Sequence, residues 1–196
     1  MKKQRVMELK QIFSQTMHFI LKMVSSPRAF WEEVIERKAT IHIFSHFYLP
    51  LLVVVVLAGI VGEFLSNPEA LLSYSLEQGF KQAVVFLLYF PISAYIVNSL
   101  STIFGGNENL TLAQMAIGFS MAPVLVVSII TGLFPFLYPL GILGLYGIYV
   151  FYRGVPYLFG ISGRHMIFFT VSAIVVNFIT FAVLSIIFWK LFDFIF

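Results

Sequence analysis

Few residues in this chain have the type and spacing to do chemistry. His42 and His46 stand four apart on a helical stretch, a spacing that puts two imidazoles on one helix face and can chelate a metal. His165 reaches the same side by topology, and three protein ligands is the count that a catalytic zinc site uses. The competing reading is that imidazoles simply suit a membrane headgroup region, as Tyr48 beside them does, and no metal or other cofactor is assigned. Gly118-Phe119-Ser120-Met121-Ala122 loosely resembles a serine-nucleophile setting. A buried serine needs a base within hydrogen-bond reach. His18, His42, His46 and His165 all fall at the inner boundary or beyond it, with Ser120 roughly 13 Å below. HExxH, the P-loop, GxGxxG and GxSxG do not occur. With no Cys, disulfides, thiol catalysis and iron–sulfur clusters are excluded. The expectation is a protein that is not an enzyme.

Binding offers more. Arg28, Arg153 and Arg164 can hold anionic headgroups or an acidic partner segment, or serve only to set topology, and Trp31 suits the headgroup boundary. Asn98, Ser120 and Asn177, with Ser93, Ser99 and Thr180, are polar groups inside apolar stretches and must find partners within the protein. For the two asparagines the reading is a hydrogen bond across helices, with a substrate-binding role as the alternative.

These groups must be positioned by membrane helices. Of 196 residues, 60% are hydrophobic and only 11% charged, against about 25% charged in soluble domains. Disorder is excluded by the abundance of large apolar residues. A net charge of +3, gathered at one end, argues against nucleic acid as a partner. Five stretches approach the ~20 apolar residues that a span needs: about 44–65, 80–104, 111–134, 136–152 and 166–190. Asn67-Pro68 and Gly105-Gly106-Asn107 mark turns between them. Pro50, Pro91, Pro123 and Pro139 suggest kinks, and Gly141, Gly144 and Gly147, every third residue, suggest close helix packing.

Two amphipathic helices precede the spans. In 6–24, Val6, Leu9, Phe13, Met17, Ile20 and Val24 form one apolar stripe, with Lys22 and His18 opposite. Ser26-Pro27 reads as an N-cap and N1 proline opening a second helix over 27–38, whose apolar face is Phe30, Trp31, Val34 and Ile35. Arg28–Glu32 and Glu33–Arg37 are i,i+4 pairs. The stripes either lie on the headgroups or pack on the chain's own spans, and both can hold. No apolar run of signal-peptide length follows the basic start within the first 30 residues, so this segment is expected to be retained.

Eight of the twelve Lys and Arg precede residue 41, and Arg153 and Arg164 share the fourth connection. The positive-inside rule then puts the amino terminus in the cytoplasm and, after five spans, the carboxyl terminus outside, in a multi-pass membrane protein.

The pattern resembles the Yip1 family of five-span membrane proteins. Pro27-Arg28-Ala29-Phe30-Trp31 is similar to the proline-then-aromatic segment of its bacterial members. Gly118-Phe119-Ser120-Met121-Ala122-Pro123 is similar to its Gly-Tyr-Ser…Pro signature, with Phe119 in the Tyr place. Tyr149…Tyr152-Arg153-Gly154 looks like its Tyr-rich, Gly-bearing segment. The similarity covers about residues 20–190. It implies a non-enzymatic protein and, the short basic helices looking like those of a bacterial member, a place in the bacterial inner membrane. Eukaryotic relatives bind small prenylated GTPases, but this chain lacks their long polar, acidic extension, so that property is not carried over.

The reading is therefore an all-α polytopic bundle: interfacial amphipathic helices in 1–40, and a five-helix transmembrane Yip1-like domain in 41–196. It would act as a scaffold or a lipid- or partner-binding module on the cytoplasmic face. Its partners would be membrane lipids and other membrane proteins or further copies of itself. The rival reading is a small-molecule or ion transporter with a polar cavity near Asn98, Ser120 and Asn177.

Overall fold

Apolar segments in lipid must close their backbone hydrogen bonds internally, and a helix does this without a neighbour. The computed structural model describes residues 14, 16–36, 43–66 and 72–195, and its regular structure is entirely helical among them. Helix α1 (residues 16–25) and helix α2 (Pro27–Glu36) come first. A π-helical turn, Phe44–Tyr48, runs straight into α3 (Leu49–Ser66). Then follow α4 (Leu72–Ile103) and α5 (Leu110–Leu133). A 3-10 helix (Pro135–Leu145) leads into α6 (Tyr146–Phe159), and α7 is Gly163–Ile195. Five of these stretches are long and apolar enough to cross a membrane, so the protein is a polytopic all-α bundle.

Two boundaries differ from the sequence expectation. α4 begins at Leu72 rather than near 80, and it carries Lys81 inside it. Lys81 is buried, 2.8 Å from Glu77 and close to the rings of Trp189 and Phe192. The fourth span runs on to Phe159 instead of stopping near 152, so Arg153 and Tyr157 sit on a helix and not in a loop. Arg153 ends the apolar run, but the helix is stopped by Gly160, whose φ of 69° is the left-handed cap conformation that glycine adopts without penalty. The Asn67-Pro68 turn lies outside the described residues.

The fourth span also winds differently. A 3-10 helix has three residues per turn and rises ~2.0 Å per residue, against ~1.5 Å in an α-helix. The wider rise lets a short stretch reach further through the bilayer. Three-residue spacing in such a helix stacks side chains in one line, so Gly141 and Gly144 face one way and Gly147 follows at the start of α6. Gly144 meets Val124 of α5, and a Cβ at Gly147 would stand 2.2 Å from the Ser120 carbonyl oxygen. Close packing is thus the role of these two. A Cβ at Gly141 would meet nothing within 4 Å.

α5 sits at the centre, packed by α3, α4, α6 and the 3-10 helix. Its crossing with α3 is backbone on backbone: a Cβ at Gly62 would lie 1.7 Å from the Gly132 carbonyl oxygen. α7 is peripheral, lying mainly on α4 with a smaller contact to α6, and it exposes Phe178, Ile179 and Ile187 outward. Loops at one end are tied together. The Asn107 N–H donates to the Phe159 carbonyl at 3.0 Å, and the Ser101 hydroxyl donates to the carbonyls of Asn98 and Asn107. Asn109 caps α5, its side chain accepting from the N–H groups of Thr111 and Leu112.

Candidate functional site

The site is built where α1 and α2 fold back onto α5 and α6. α2 turns Pro27, Phe30, Trp31 and Val34 inward. The Trp31 indole is wholly buried and donates from Nε1 to the Val150 carbonyl at 2.9 Å, satisfying the one polar atom that its burial would otherwise strand. It fits because position 154 is glycine: a Cβ there would stand 2.6 Å from Trp31 Cε2. Phe119 of α5 is the hub. Its ring lies 4.9 Å from that of Phe30, 5.7 Å from those of Phe19 and Trp31, and 4.8 Å from that of Phe47, all edge to face. This is the geometry that the ring quadrupole favours. The next residues of the same segment serve neighbours on either side. Gly118 gives room to Ile43 and Phe90, and Ser120 lies against Gly147.

α1 has three sides. At about 100° per residue, Thr16, Phe19 and Met23 share the buried side, with Ile20 packed against the core at its edge. Met17, Leu21 and Val24 fall together on a second side and are exposed. His18, Lys22 and Ser25 form the third. The expected stripe is therefore rotated: Met17 and Val24 point away from the bundle, and Phe19 and Met23, which the stripe left out, point in. Val6, Leu9 and Phe13 lie outside the described residues.

The polar sides of the two helices are cross-tied. Lys22 pairs with Glu33, and His18 lies 3.6 Å from the same carboxylate. Arg28 pairs with Glu32 at 3.0 Å, as the i,i+4 spacing implies, and the Tyr157 hydroxyl of α6 donates to the same Glu32 oxygen at 3.0 Å. The Arg28 guanidinium and then the Tyr157 hydroxyl hold the Glu32 carboxyl below the ordinary carboxylate value, and Arg153 adds a smaller pull in the same direction. Arg37, the other expected partner of Glu33, lies outside the described residues.

The remaining expected residues are placed as follows. Arg28 and Arg153 gather about Glu32, and the half-buried Arg153 has no hydrogen-bond partner for Nε among the described residues. Arg164 is exposed, 5.5 Å above the Phe168 ring. His165 is exposed, as is His46, whose Nδ1 lies 2.9 Å from the Ser45 hydroxyl. His42 lies outside the described residues, and no three His, Asp or Glu side chains gather as a metal set among those described. Among the described residues Asn177 has no partner across helices. Its Nδ2 donates to the Ala173 carbonyl of its own helix at 2.8 Å. Thr170 and Thr180 do the same with Met166 and Val176.

A cavity of about 310 Å³ lies among α4, α5, the 3-10 helix, α6 and α7. Ser120 and Asn177 line it, but Asn98 does not, and most of the lining is apolar. This is not the water-filled polar chamber of a transporter, and that rival reading is not favoured.

Gly154, Glu32, Tyr157 and Phe119 were not singled out as functional by sequence. The signal for Gly154 was present, because it ends one of the segments that carried the family resemblance. Tyr157 would have followed from extending α6, since it lies one turn beyond Gly154. A family model described as Yip1 domain matches residues 21–185. No curated protein and no solved structure matches.

Proposed function

Because the chain belongs to the Yip1 family of multi-pass membrane proteins, we propose that it works by binding, as a scaffold whose α1–α2 face organises lipids and partner proteins on the cytoplasmic side of the membrane. The family is not one of known enzymes, which agrees with a binding role. The observation that carries the proposal is the three-sided character of α1. One side is anchored by Phe19 and Met23, so the helix is held as a fixed platform. The second side presents Met17, Leu21 and Val24 outward as an apolar strip. A helix held at the interface with apolar residues to spare inserts them among acyl chains or into a partner's groove. Lys22 and Arg28, each paired with a carboxylate of α2, and Arg153 of α6 beside Glu32 lie on the polar sides of these helices and can exchange those partners for anionic headgroups. The concentration of Lys and Arg before residue 41 supports a cytoplasmic amino terminus and an exterior carboxyl terminus.

The test is the double variant Leu21→Glu/Val24→Glu in the full chain. Both positions point away from the core, so the thermal transition in detergent should stay unchanged. Anionic lipid retained through purification, and partner crosslinks from intact membranes, should both drop. Retention of both at the level of the unaltered protein would refute the proposal.

A further inference from the structure

Beside the seat of α2, α6 carries three polar side chains that hold nothing: Tyr149, Tyr152 and Arg153. Spacings of three and four put them together on one side of the helix. α2 covers the adjacent side, where Val150 and Gly154 meet Trp31 and Tyr157 meets Glu32. Arg153 stands at the border between the two. Tyr149 is exposed, and Tyr152 and Arg153 are half-buried. Towards the start of α6, the exposed Leu145 and Ile148 continue the same open side.

Neither tyrosine hydroxyl and no guanidinium nitrogen of Arg153 has a hydrogen-bond or ion-pair partner among the described residues. Of the arginine nitrogens it is Nε that is buried, so the terminal pair is the part open to a ligand. Glu32, the carboxylate that Arg153 acts on, is already held by Arg28 and Tyr157 at 3.0 Å each. Two arginines and one carboxylate leave a positive charge unanswered. Its place in the span matters. Gly160 stops α6, and Arg153 lies seven residues before it, ~10 Å in from that end; Tyr149 lies ~16 Å in.

We propose that Tyr149, Tyr152 and Arg153 seat the phosphodiester of an anionic phospholipid of the phosphatidylglycerol type, in the leaflet on the α1–α2 side, with an acyl chain along Leu145 and Ile148. This rests on the reading above for lipid as a partner, and deepens it by naming the lipid and its place. A phosphodiester offers acceptor oxygens and a negative charge, which are what three unpartnered donors and one uncompensated arginine lack. An arginine beside lipid is costly without a counter-charge, and a headgroup phosphate supplies it. An ethanolamine or choline headgroup would add an ammonium beside Arg28 and Arg153, with Glu32 already taken. A soluble phosphate or an acidic peptide would have to descend ~10 Å along a lipid-facing helix side. A phospholipid arrives laterally, with its phosphate at the boundary and its chains below.

The test uses the full chain in nanodiscs of equal palmitoyl-oleoyl phosphatidylglycerol and palmitoyl-oleoyl phosphatidylethanolamine, with native mass spectrometry to count the lipids that stay bound on release. Phosphatidylglycerol should be retained about tenfold over phosphatidylethanolamine, the effect of one charge-assisted hydrogen bond. Arg153→Gln should erase that ratio. Tyr149→Phe/Tyr152→Phe, which keeps both rings and the charge, should cut it about threefold. Arg164→Gln removes the same charge at the start of α7 and should leave the ratio unchanged. Equal retention of the two lipids by the unaltered protein overturns the proposal. So does a ratio that survives both α6 variants, or one that Arg164→Gln lowers as far as Arg153→Gln does. Leu21→Glu/Val24→Glu separates this seat from the reading above. If that variant loses lipid while Arg153→Gln keeps the ratio, the seat is wrong and the α1 face stands. If the ratio follows Arg153 while the α1 variant loses nothing, the seat holds and the α1 face does not.

Discussion

Gly154 of α6 and Trp31 of α2 are a fitted pair: the indole occupies the volume that any side chain at 154 would need, 2.6 Å from where its Cβ would stand. Three separated segments of the sequence, around Trp31, Phe119 and Gly154, meet at this point. Gly154→Val should therefore push the indole out and cost about 1–3 kcal/mol, the usual cost of overpacking. Trp31 is one of only two tryptophans, so its emission can be read alone in a Trp189→Phe background. A red shift with a lowered melting temperature is the expected outcome, and an unchanged spectrum would refute the fit.

Phe119 and Trp31 should be energetically coupled. Each alone, replaced by Ala, leaves a cavity in the aromatic cluster and costs roughly 3–5 kcal/mol in soluble proteins. Since their rings touch at 5.7 Å, the double replacement should cost less than the sum, by about 0.5–3 kcal/mol. Simple additivity in a thermal-stability cycle would show that the contact carries no energy of its own.

Gly62 should tolerate nothing larger. A methyl at 62 collides with the Gly132 carbonyl at 1.7 Å, so Gly62→Ala must separate α3 from α5. Gly141→Ala is the internal control, because its Cβ would meet nothing within 4 Å. Melting in detergent should fall markedly for the first and hardly at all for the second.

The tie between α2 and α6 should be acid-labile. Glu32 has a folded value below its ordinary 4.5, so the stabilisation it contributes is present above about pH 4.5 and lost as pH falls through the lower folded value. The melting temperatures of the unaltered protein and Glu32→Gln should differ most near neutrality and converge roughly between pH 5 and 3. A gap that stays constant across that range would contradict the assignment.

Asn109→Ala should fray the start of α5. It removes the acceptor for two N–H groups and should cost about 1 kcal/mol. Faster amide exchange at Thr111 and Leu112, with the rest of α5 unchanged, is the direct readout.

Sequence alone determined how many times the chain crosses the membrane, because an apolar stretch of about 20 residues has no alternative to coiling and spanning. It determined the local signals too: the N1 proline of α2, the Arg28–Glu32 pair and the turn at Gly105. It also set out the segments around Trp31, Phe119 and Gly154 that identify the family. The tertiary structure alone decided which apolar surface is buried. Lipid chains are as apolar as leucine, so periodicity in a membrane protein marks an apolar face without saying whether lipid or protein covers it. For that reason Met17 and Val24 stood in the expected stripe yet point outward, while Phe19 and Met23 point in. Trp31 suited the headgroup region by type, but a glycine 123 positions later in the chain provides its seat inside the bundle. Asn177 could bond across helices or within its own, and only the packing of α7 on α4 decided that its amide turns back to the Ala173 carbonyl.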